Sequence, residues 1–336
     1  MIDFRSDTVT KPTEPMLTAM FGADIGDDVY GDDPSVNELE QFAASRHGFE
    51  SALFVSSGTQ ANLLAIMAHC ERGDEYLCGQ NAHNYRYEAG GAAVLGSVQP
   101  QPIENEPDGT LCINKLAAAI KPSDFHFAKT RLLSLENTIG GKVLPMDYLA
   151  KAREFCDQNG LQLHLDGARV YNAAVALNVD IVEIAKHFDS MTICLSKGLG
   201  APVGSLLLGP VAFIEKARRI RKMLGGGMRQ AGFLAAAGLF ALKHNISRLE
   251  IDHQNAQYLS EQLNQLPSFN CDNYPVQTNI VLADVASDVD IEAIAEKLKS
   301  EGINITPGYQ GMRFVTHLGI NRADIDRLIS AIRASL

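Results

Sequence analysis

The chain has 336 residues, of which 46% are hydrophobic and 21% are charged, and its formal net charge is −11 at pH 7. This length exceeds the usual size of a single core, so we expect one large domain and one smaller one. The negative charge argues against a nucleic-acid surface, which requires a basic stripe. An anionic ligand would therefore have to be held by locally placed donors.

Neither a membrane span nor a secretion signal is expected. The longest uninterrupted apolar stretch, residues 231–242, is too short for a bilayer span, which needs about twenty residues. The first residues, MIDFRSDTVT, carry charge from the third position and lack an apolar signal core. The six cysteines are scattered and form no C-x-x-C pair, which favours buried free thiols in a cytoplasmic protein.

Short apolar strands alternate with amphipathic helices along the first two thirds of the chain. Strands are predicted at residues 51–55, 131–135, 162–165, 191–195 and 203–208, and helices at 58–70 and 148–159. We expect the strand at 203–208 to be antiparallel to its neighbours, because little sequence separates it from the preceding strand. The alternation predicts an α/β fold with a mostly parallel sheet and helices on both faces.

The pattern changes after residue 244, which divides the chain into a large domain, 1–244, and a small C-terminal α+β domain, 245–336. A long helix is predicted at 245–266, followed by a strand at 278–285, a helix at 290–300 and a strand at 312–317. Asn321 is a good N-cap for the last helix.

Three polar clusters follow predicted strands, at 57–59, 166–169 and 196–198. Ligands of parallel sheets bind beyond the carboxyl ends of the strands, so these clusters are candidates for a common site. A lysine such as Lys197 can be a surface residue, but a partly buried lysine can lose its proton and form a Schiff base. Asp166 can hold a protonated pyridine nitrogen or simply cap a helix. Arg169 can bind a carboxylate with its fork of donors.

Other candidates are more ambiguous. Gly58 and Thr59 open a helix whose free N–H groups suit a phosphate, although the same residues are ordinary caps. His83 can lie over a planar cofactor or on a surface loop, and His126 presents the same choice. No metal-binding spacing is present, and the acidic residues between 24 and 33 are typical of turns rather than of a metal cage.

A basic, glycine-rich run occupies residues 218–229. Its glycines permit a tight loop, and its charges are too concentrated for an ordinary solvated face. Lys222 and Arg229 of this run are candidates for reaching a phosphate across a subunit interface.

The motifs together resemble those of the low-specificity L-threonine aldolases, which are fold type I, aspartate-aminotransferase-like enzymes that use pyridoxal 5′-phosphate. The resemblance covers essentially the whole chain. Its motifs are DFRSDTVTKP, GDDVYGDDP, SSGTQAN, AHNYRYEAGG, LSLENT, GKVLP, LHLDGARVYNA, TICLSKGLGAPVGS, RKMLGGGMRQAG and RFVTHL.

The resemblance implies a role for each matching residue. Lys197 would hold the cofactor as a Schiff base, and His83 and His126 would handle protons at the substrate hydroxyl. The remaining implied roles are phosphate binding by Gly58 and Thr59, pyridine-nitrogen binding by Asp166, carboxylate or phenolic-oxygen binding by Arg169, substrate-carboxylate binding by Ser6 and Arg313, and contributions from a neighbouring subunit by Lys222 and Arg229.

The implied reaction is reversible cleavage of L-threonine, L-allo-threonine and related β-hydroxy-α-amino acids to glycine and an aldehyde, in a homotetramer whose dimers share active sites. The general base remains open between His83, His126 and a water. A fold does not fix a reaction, so a β-eliminating lyase, racemase or aminotransferase is an alternative, as is a non-catalytic binding relative. One departure is clear, because Ile139-Gly140 replaces the family's His-Asn and is expected to affect substrate preference.

Overall fold

The computed structural model describes residues 1–308 and 311–336. The strands are β1 (Ile2–Asp3), β2 (Ser51–Val55), β3 (Glu75–Gly79), β4 (Gln99–Ile103), β5 (Thr130–Glu136), β6 (Gln162–Gly167), β7 (Ser190–Cys194), β8 (Ser205–Gly209), β9 (Phe269–Asn270), β10 (Ile280–Val285), β11 (Ile303–Asn304), β12 (Thr306–Gly308) and β13 (Gly311–Val315). The helices are α1 (Glu14–Phe21), α2 (Pro34–His47), α3 (Gly58–His69), α4 (His83–Arg86), α5 (Gly91–Val94), α6 (Ile113–Ala119), α7 (Met146–Asn159), α8 (Val170–Leu177), α9 (Ile181–Ala185), α10 (Val211–Met223), α11 (Gly232–His244), α12 (Leu249–Leu263), α13 (Ile291–Ser300) and α14 (Arg322–Arg333).

A seven-stranded sheet in the order β2-β8-β7-β6-β5-β3-β4 forms the centre of the large domain. Strands β7, β6, β5, β3 and β4 are parallel to one another, whereas β8 is antiparallel to both β2 and β7. Every residue of β3, β7 and β8 is buried, as expected for a sheet covered by helices on both faces. The predicted architecture, including the antiparallel strand, is confirmed.

The register of the sheet brings the polar clusters to one edge. Val55, at the end of β2, and Cys194, at the end of β7, both pair with Ser205 at the start of β8. Glu136 at the end of β5 pairs with Asp166 near the end of β6. The carboxyl ends of β2, β5, β6 and β7 therefore share an edge, although β2 and β7 are not adjacent.

A second sheet, in the order β12-β13-β10-β9, forms the small C-terminal unit together with α12, α13 and α14. The first residues of the chain belong to its packing, because β1 pairs with β11 and Phe4 packs edge-on against Phe314. The 244/245 boundary remains a prediction, and the N-terminal strand crosses it.

The predicted helix at 245–266 is too long. Asn245 ends α11, and its side-chain amide donates to the carbonyl of Leu199 at 2.7 Å. This tertiary contact stabilises a turn before α12, which begins only at Leu249. By contrast, Asn321 caps α14 through a full capping box, as predicted.

Two further observations concern the chain as a whole. All six cysteines are free and only Cys112 is not fully buried, which confirms the predicted buried thiols. Across the described residues, no helix combines the length and apolarity needed to cross a bilayer.

Candidate active site

A cavity of about 730 Å³ lies where the carboxyl edge of the large sheet faces the small domain. His83, Glu136 and Arg169 line it from the large domain. Arg313 and Leu282, which pair across β13 and β10, line it from the small domain. The cavity therefore combines a cationic end, an acid–base group and an apolar wall.

Arg169 is fixed by a carboxylate from the opposite end of the chain. Asp7 is completely buried and accepts two hydrogen bonds from Arg169, at 2.9 Å from Nε and 2.7 Å from Nη2. It also accepts one from Asn279 of the small domain at 3.2 Å. Burial alone would raise the pKa of Asp7, but the charges of Arg169 and Lys197 hold it well below its usual range. Among the described residues, no hydrogen-bond partner is recorded for its third nitrogen, Nη1, and the guanidinium borders the cavity.

Asp166 is buried near the end of β6 and belongs to a chain of hydrogen bonds. One of its carboxylate oxygens accepts from the Asn62 side-chain amide at 2.7 Å, and the other accepts from the backbone of Ala168. The same Asn62 nitrogen donates to Glu88 at 2.8 Å, and Glu88 lies 2.8 Å from Nδ1 of His83. The hydrogen bond to Glu88 raises the pKa of His83.

His83, Glu88 and Asp166 also lie close enough together to hold a cation. Their geometry has a simpler explanation, because Asn62 already donates to both carboxylates and His83 faces one of them. The cluster is fully accounted for as a hydrogen-bonded chain.

Glu136 ends β5 at the floor of the cavity. Its carboxylate accepts from the backbone N–H of His83 at 2.8 Å, which anchors the start of α4. Burial, reinforced by the negative charge of Asp166, raises the pKa of Glu136 to about 8. The site therefore contains a carboxyl group that holds its proton more tightly than an ordinary glutamate.

Lys197 follows β7 by three residues, at the sheet edge where β5 and β6 also end. Its backbone carbonyl accepts hydrogen bonds from the Thr10 hydroxyl at 3.1 Å and from the backbone of Gly200 at 2.8 Å. The charge of its side chain is felt by both Asp7 and Glu136. The structure thus brings the predicted lysine together with Asp166 and Arg169.

The start of α3 has free donors for an anion. The Ser57 hydroxyl caps the helix by accepting from Gln60, so the backbone N–H groups of Gly58 and Thr59 remain available. A Cβ on Gly58 would lie 3.7 Å from Oγ of Ser205, which is buried and has no hydrogen-bond partner among the described residues. This donor set fits a phosphate group.

The predicted carboxylate-binding residues of the two termini meet at the cavity. Arg313 lines it and donates to the backbone carbonyl of Arg5 at 3.0 Å. Ser6 is the next residue along the chain, and its hydroxyl caps the short helix Asp7–Val9. The pairing of β1 with the small domain is what brings residues 5 and 6 to Arg313.

Of the predicted residues, His83, Arg169 and Arg313 line the cavity itself, whereas His126, Arg229 and Lys222 have other surroundings. His126 is exposed, and its ring nitrogen Nδ1 lies 2.5 Å from the Asp124 carboxylate. Arg229 pairs with Asp27, and Lys222 lies on the exposed end of α10. Their predicted roles stay predictions, since one chain by itself does not bring them to the site.

Sequence reasoning missed several residues that the structure places in the site, namely Asp7, Asn62, Glu88, Glu136 and Asn279. Asp7 and Glu136 stand inside the motifs RSDT and LENT, so their motifs carried a signal. Asn62 and Glu88 are inconspicuous in sequence, because an asparagine inside a helix and a glutamate after a short loop are common.

The chain belongs to the beta-eliminating lyase family, whose model matches residues 3–288. It is 53% identical to the low specificity L-threonine aldolase of Escherichia coli (strain K12), over 100% of this chain and 99% of that protein. The low specificity L-threonine aldolase of Saccharomyces cerevisiae is 37% identical, over 98% and 85% of the two chains. A Leishmania major threonine aldolase structure superposes with a TM-score of 0.84 at 21% identity, covering 99% of each chain. The predicted family and fold type I architecture are confirmed.

Proposed function

We propose that this protein cleaves L-threonine, L-allo-threonine and related β-hydroxy-α-amino acids to glycine and an aldehyde, and catalyses the reverse reaction. The observation that carries the proposal is the meeting of Lys197, Asp166, Arg169 and His83 at one sheet edge, in a chain 53% identical to a protein of that name. Sequence similarity at this level over the full length supports the same reaction.

The residues present fit pyridoxal 5′-phosphate as cofactor. Gly58 and Thr59 would hold its phosphate, Asp166 its ring nitrogen, and Lys197 its aldehyde carbon. When bound, this cofactor supplies an electron-withdrawing ring that takes up the electron pair released at the substrate's α-carbon.

Residues of the chain itself would bind and orient the substrate. Arg169, Arg313 and Ser6 surround the place for a carboxylate, and a bidentate or paired contact there would fix the amino acid in one orientation. His83 borders the same cavity and would accept the proton of the β-hydroxyl, a role worth about 10²–10⁴-fold in rate. The aldehyde substituent would lie towards Ile139, Ile280 and Leu282.

His126 can join a site only in an assembly of chains. It lies four residues before β5, at the opposite edge of the sheet from Glu136 at the end of that strand. A seven-residue strand separates the two edges by roughly 20 Å. We therefore assign His126, Lys222 and Arg229 to the active sites of neighbouring copies, in a homotetramer built from two dimers. Cytoplasmic location is part of the same proposal and is supported by the free cysteines.

Lys197→Ala tests the proposal most directly. The variant should lose the yellow colour of the loaded protein and nearly all glycine formation from L-threonine, because it lacks the amine that carries the cofactor. The matched control is Lys186→Ala, which removes a lysine paired with Glu183 on the surface and should change neither property. Normal turnover by Lys197→Ala would refute the proposal.

A product assay separates this reaction from the alternatives. Wild-type protein supplied with either threonine diastereomer should release glycine and acetaldehyde in equal amounts. Ammonia with a keto acid would instead indicate elimination, and an interconversion of enantiomers would indicate racemisation. Colour without turnover would identify a binding relative.

A further inference from the structure

The direction of the hydrogen bonds between Thr192, Asn62, Glu88 and His83 follows from one backbone amide together with two carboxylates. The N–H of Gly167 can only donate, and it donates to Oγ1 of Thr192 at 3.2 Å. The Thr192 hydroxyl therefore has its own proton available for the next partner, Oδ1 of Asn62, also at 3.2 Å. The opposite end of the Asn62 amide faces the carboxylates of Asp166 and Glu88, which accept, so the end that faces Thr192 is the oxygen.

The other end of Asn62 must then be the NH2 group, and both of its protons are used. One goes to Asp166 at 2.7 Å and the other to Oε1 of Glu88 at 2.8 Å. An ionised Glu88 carboxylate has no proton to donate, so Oε1 accepts from both of its neighbours. Glu88 is only 8% exposed, so water does not compete strongly for this oxygen.

The same Oε1 atom lies 2.8 Å from Nδ1 of His83. A neutral imidazole has one N–H group and one bare nitrogen. Because Oε1 accepts, Nδ1 must carry the proton, and Nε2 is left with its lone pair on a ring that lines the cavity. The direction of the whole chain thus decides which histidine nitrogen can act as a base.

We infer that Glu88 is a positioning residue, which through Asn62 and Thr192 holds His83 in the Nδ1-protonated form and presents Nε2 to the substrate as the proton acceptor. When Nε2 takes the hydroxyl proton, the O–H bond breaks, an N–H bond forms, and the ring becomes an imidazolium that faces the Glu88 carboxylate. The inference rests on the proposed function only for the role of His83 as the base.

The tautomer can be measured without turnover. In cofactor-loaded protein labelled with ¹⁵N-histidine, the His83 signals are identified as those missing from His83→Asn. At a pH where the ring is neutral, Nδ1 should resonate as an N–H nitrogen and Nε2 as a bare nitrogen. The opposite assignment would overturn the inference.

Two substitutions separate the charge of Glu88 from its role as an acceptor. Glu88→Gln can place its amide oxygen where Oε1 was, so the tautomer should persist, while the lost negative charge should move the acid limb of kcat/KM about one unit lower in pH. The limb moves down because an imidazole without an anionic partner loses its proton more easily. The other charged groups around the ring are unchanged in this variant, so they do not contribute to the shift. The acidic groups are Glu136 and Asp166, and the basic groups are Lys197 and the arginines that line the cavity.

Glu88→Leu removes the acceptor, so the neutral ring should populate both tautomers and kcat should fall about 10- to 100-fold with little change in KM, which is the loss typical of removing a group that orients a metal-bound histidine. If the leucine variant does not fold, the wild-type tautomer and Glu88→Gln still decide the question. The matched control is Glu75→Gln, a buried carboxylate at the opposite edge of the sheet, which should leave the tautomer and the acid limb unchanged.

A purely structural role for Glu88 predicts lower stability in these variants but an unmoved acid limb, and this result would overturn the inference. Wild-type protein that makes no glycine but shows the Nδ1-protonated ring would instead overturn the proposed function alone. Cleavage by a protein whose His83 carries its proton on Nε2 would overturn the inference and leave the proposed function standing.

Discussion

Replacing Asp7 with Asn removes the charge that faces Arg169 while keeping nearly the same volume. Asp7 is fully buried and accepts four hydrogen bonds, two from Arg169, one from Asn279 and a longer one from the Ser6 hydroxyl at 3.5 Å. The variant leaves a guanidinium whose side chain is only 12% exposed without its counter-ion. Breaking a buried pair in this way costs about 3–5 kcal/mol, and we expect the lower end, because the guanidinium borders a cavity that admits water.

The expected change in melting temperature follows from the size of the chain. An unfolding entropy of about 2.1 cal/mol/K per residue gives roughly 0.7 kcal/mol/K for 336 residues, so a loss of about 3 kcal/mol lowers Tm by about 4 °C. KM for the amino acid should also rise, since Arg169 loses its fixed orientation. Thermal unfolding followed by circular dichroism and a steady-state assay measure the two effects.

The pH dependence has a definite sign. The pKa of Asp7 is depressed in the folded protein, so its contribution is fully present above the unfolded value near 3.9 and is lost as pH falls towards the folded value. The Tm difference between wild type and Asp7→Asn should therefore be the same at pH 6 and pH 8 and should shrink below about pH 4.

A matched surface variant calibrates the comparison. Asp147→Asn breaks an exposed pair with Lys151 and should cost less than about 1 kcal/mol. Equal and small Tm changes for Asp7→Asn and Asp147→Asn would refute the reasoning about the buried pair.

Two further predictions concern the same sheet edge. Because the pKa of Glu136 is raised to about 8, wild type should lose stability relative to Glu136→Gln as pH rises from about 5 to 8. A difference in unfolding free energy between the two proteins, measured with urea, that stays constant over this range would contradict the assignment. Gly167→Ala should lower the free energy of unfolding in urea by about 3 kcal/mol, because its Cβ would lie 2.2 Å from the backbone oxygen of Thr192. In the control variant Gly91→Ala the Cβ meets only an ordinary contact at 3.7 Å. Equal stabilities of the two variants would contradict the packing argument.

Local patterns were sufficient for most of the fold. The strands at β2, β5, β6 and β7 were predicted within one or two residues, because their apolar runs are bounded by turn residues and caps. The antiparallel direction of β8 also followed from sequence, since ten residues between Cys194 and Ser205 cannot contain a crossover helix. Where a tertiary hydrogen bond competes with helix propensity, as at Asn245, the pattern failed.

The residues of the candidate site likewise fall into those that the sequence predicted and those that it did not. Lys197, Asp166 and Arg169 could be selected because each follows a strand at an edge where parallel sheets bind ligands. Their partners could not, because Asp7 is 162 positions from Arg169 and Asn62 is 104 positions from Asp166. Such contacts depend on strand order and on the path of the N-terminus, which local periodicity does not encode.

Sequence alone therefore determined the class of fold, the cofactor-binding lysine as a candidate, and the family resemblance that the comparisons confirmed. Only the tertiary structure decided which groups are buried together, and burial sets both charge and hydrogen-bond direction. The pKa of Glu136 is raised because neighbouring strands place it beside Asp166 in a poorly solvated position, and His83 presents a defined nitrogen to the cavity because Glu88, held by Asn62, accepts from its other nitrogen.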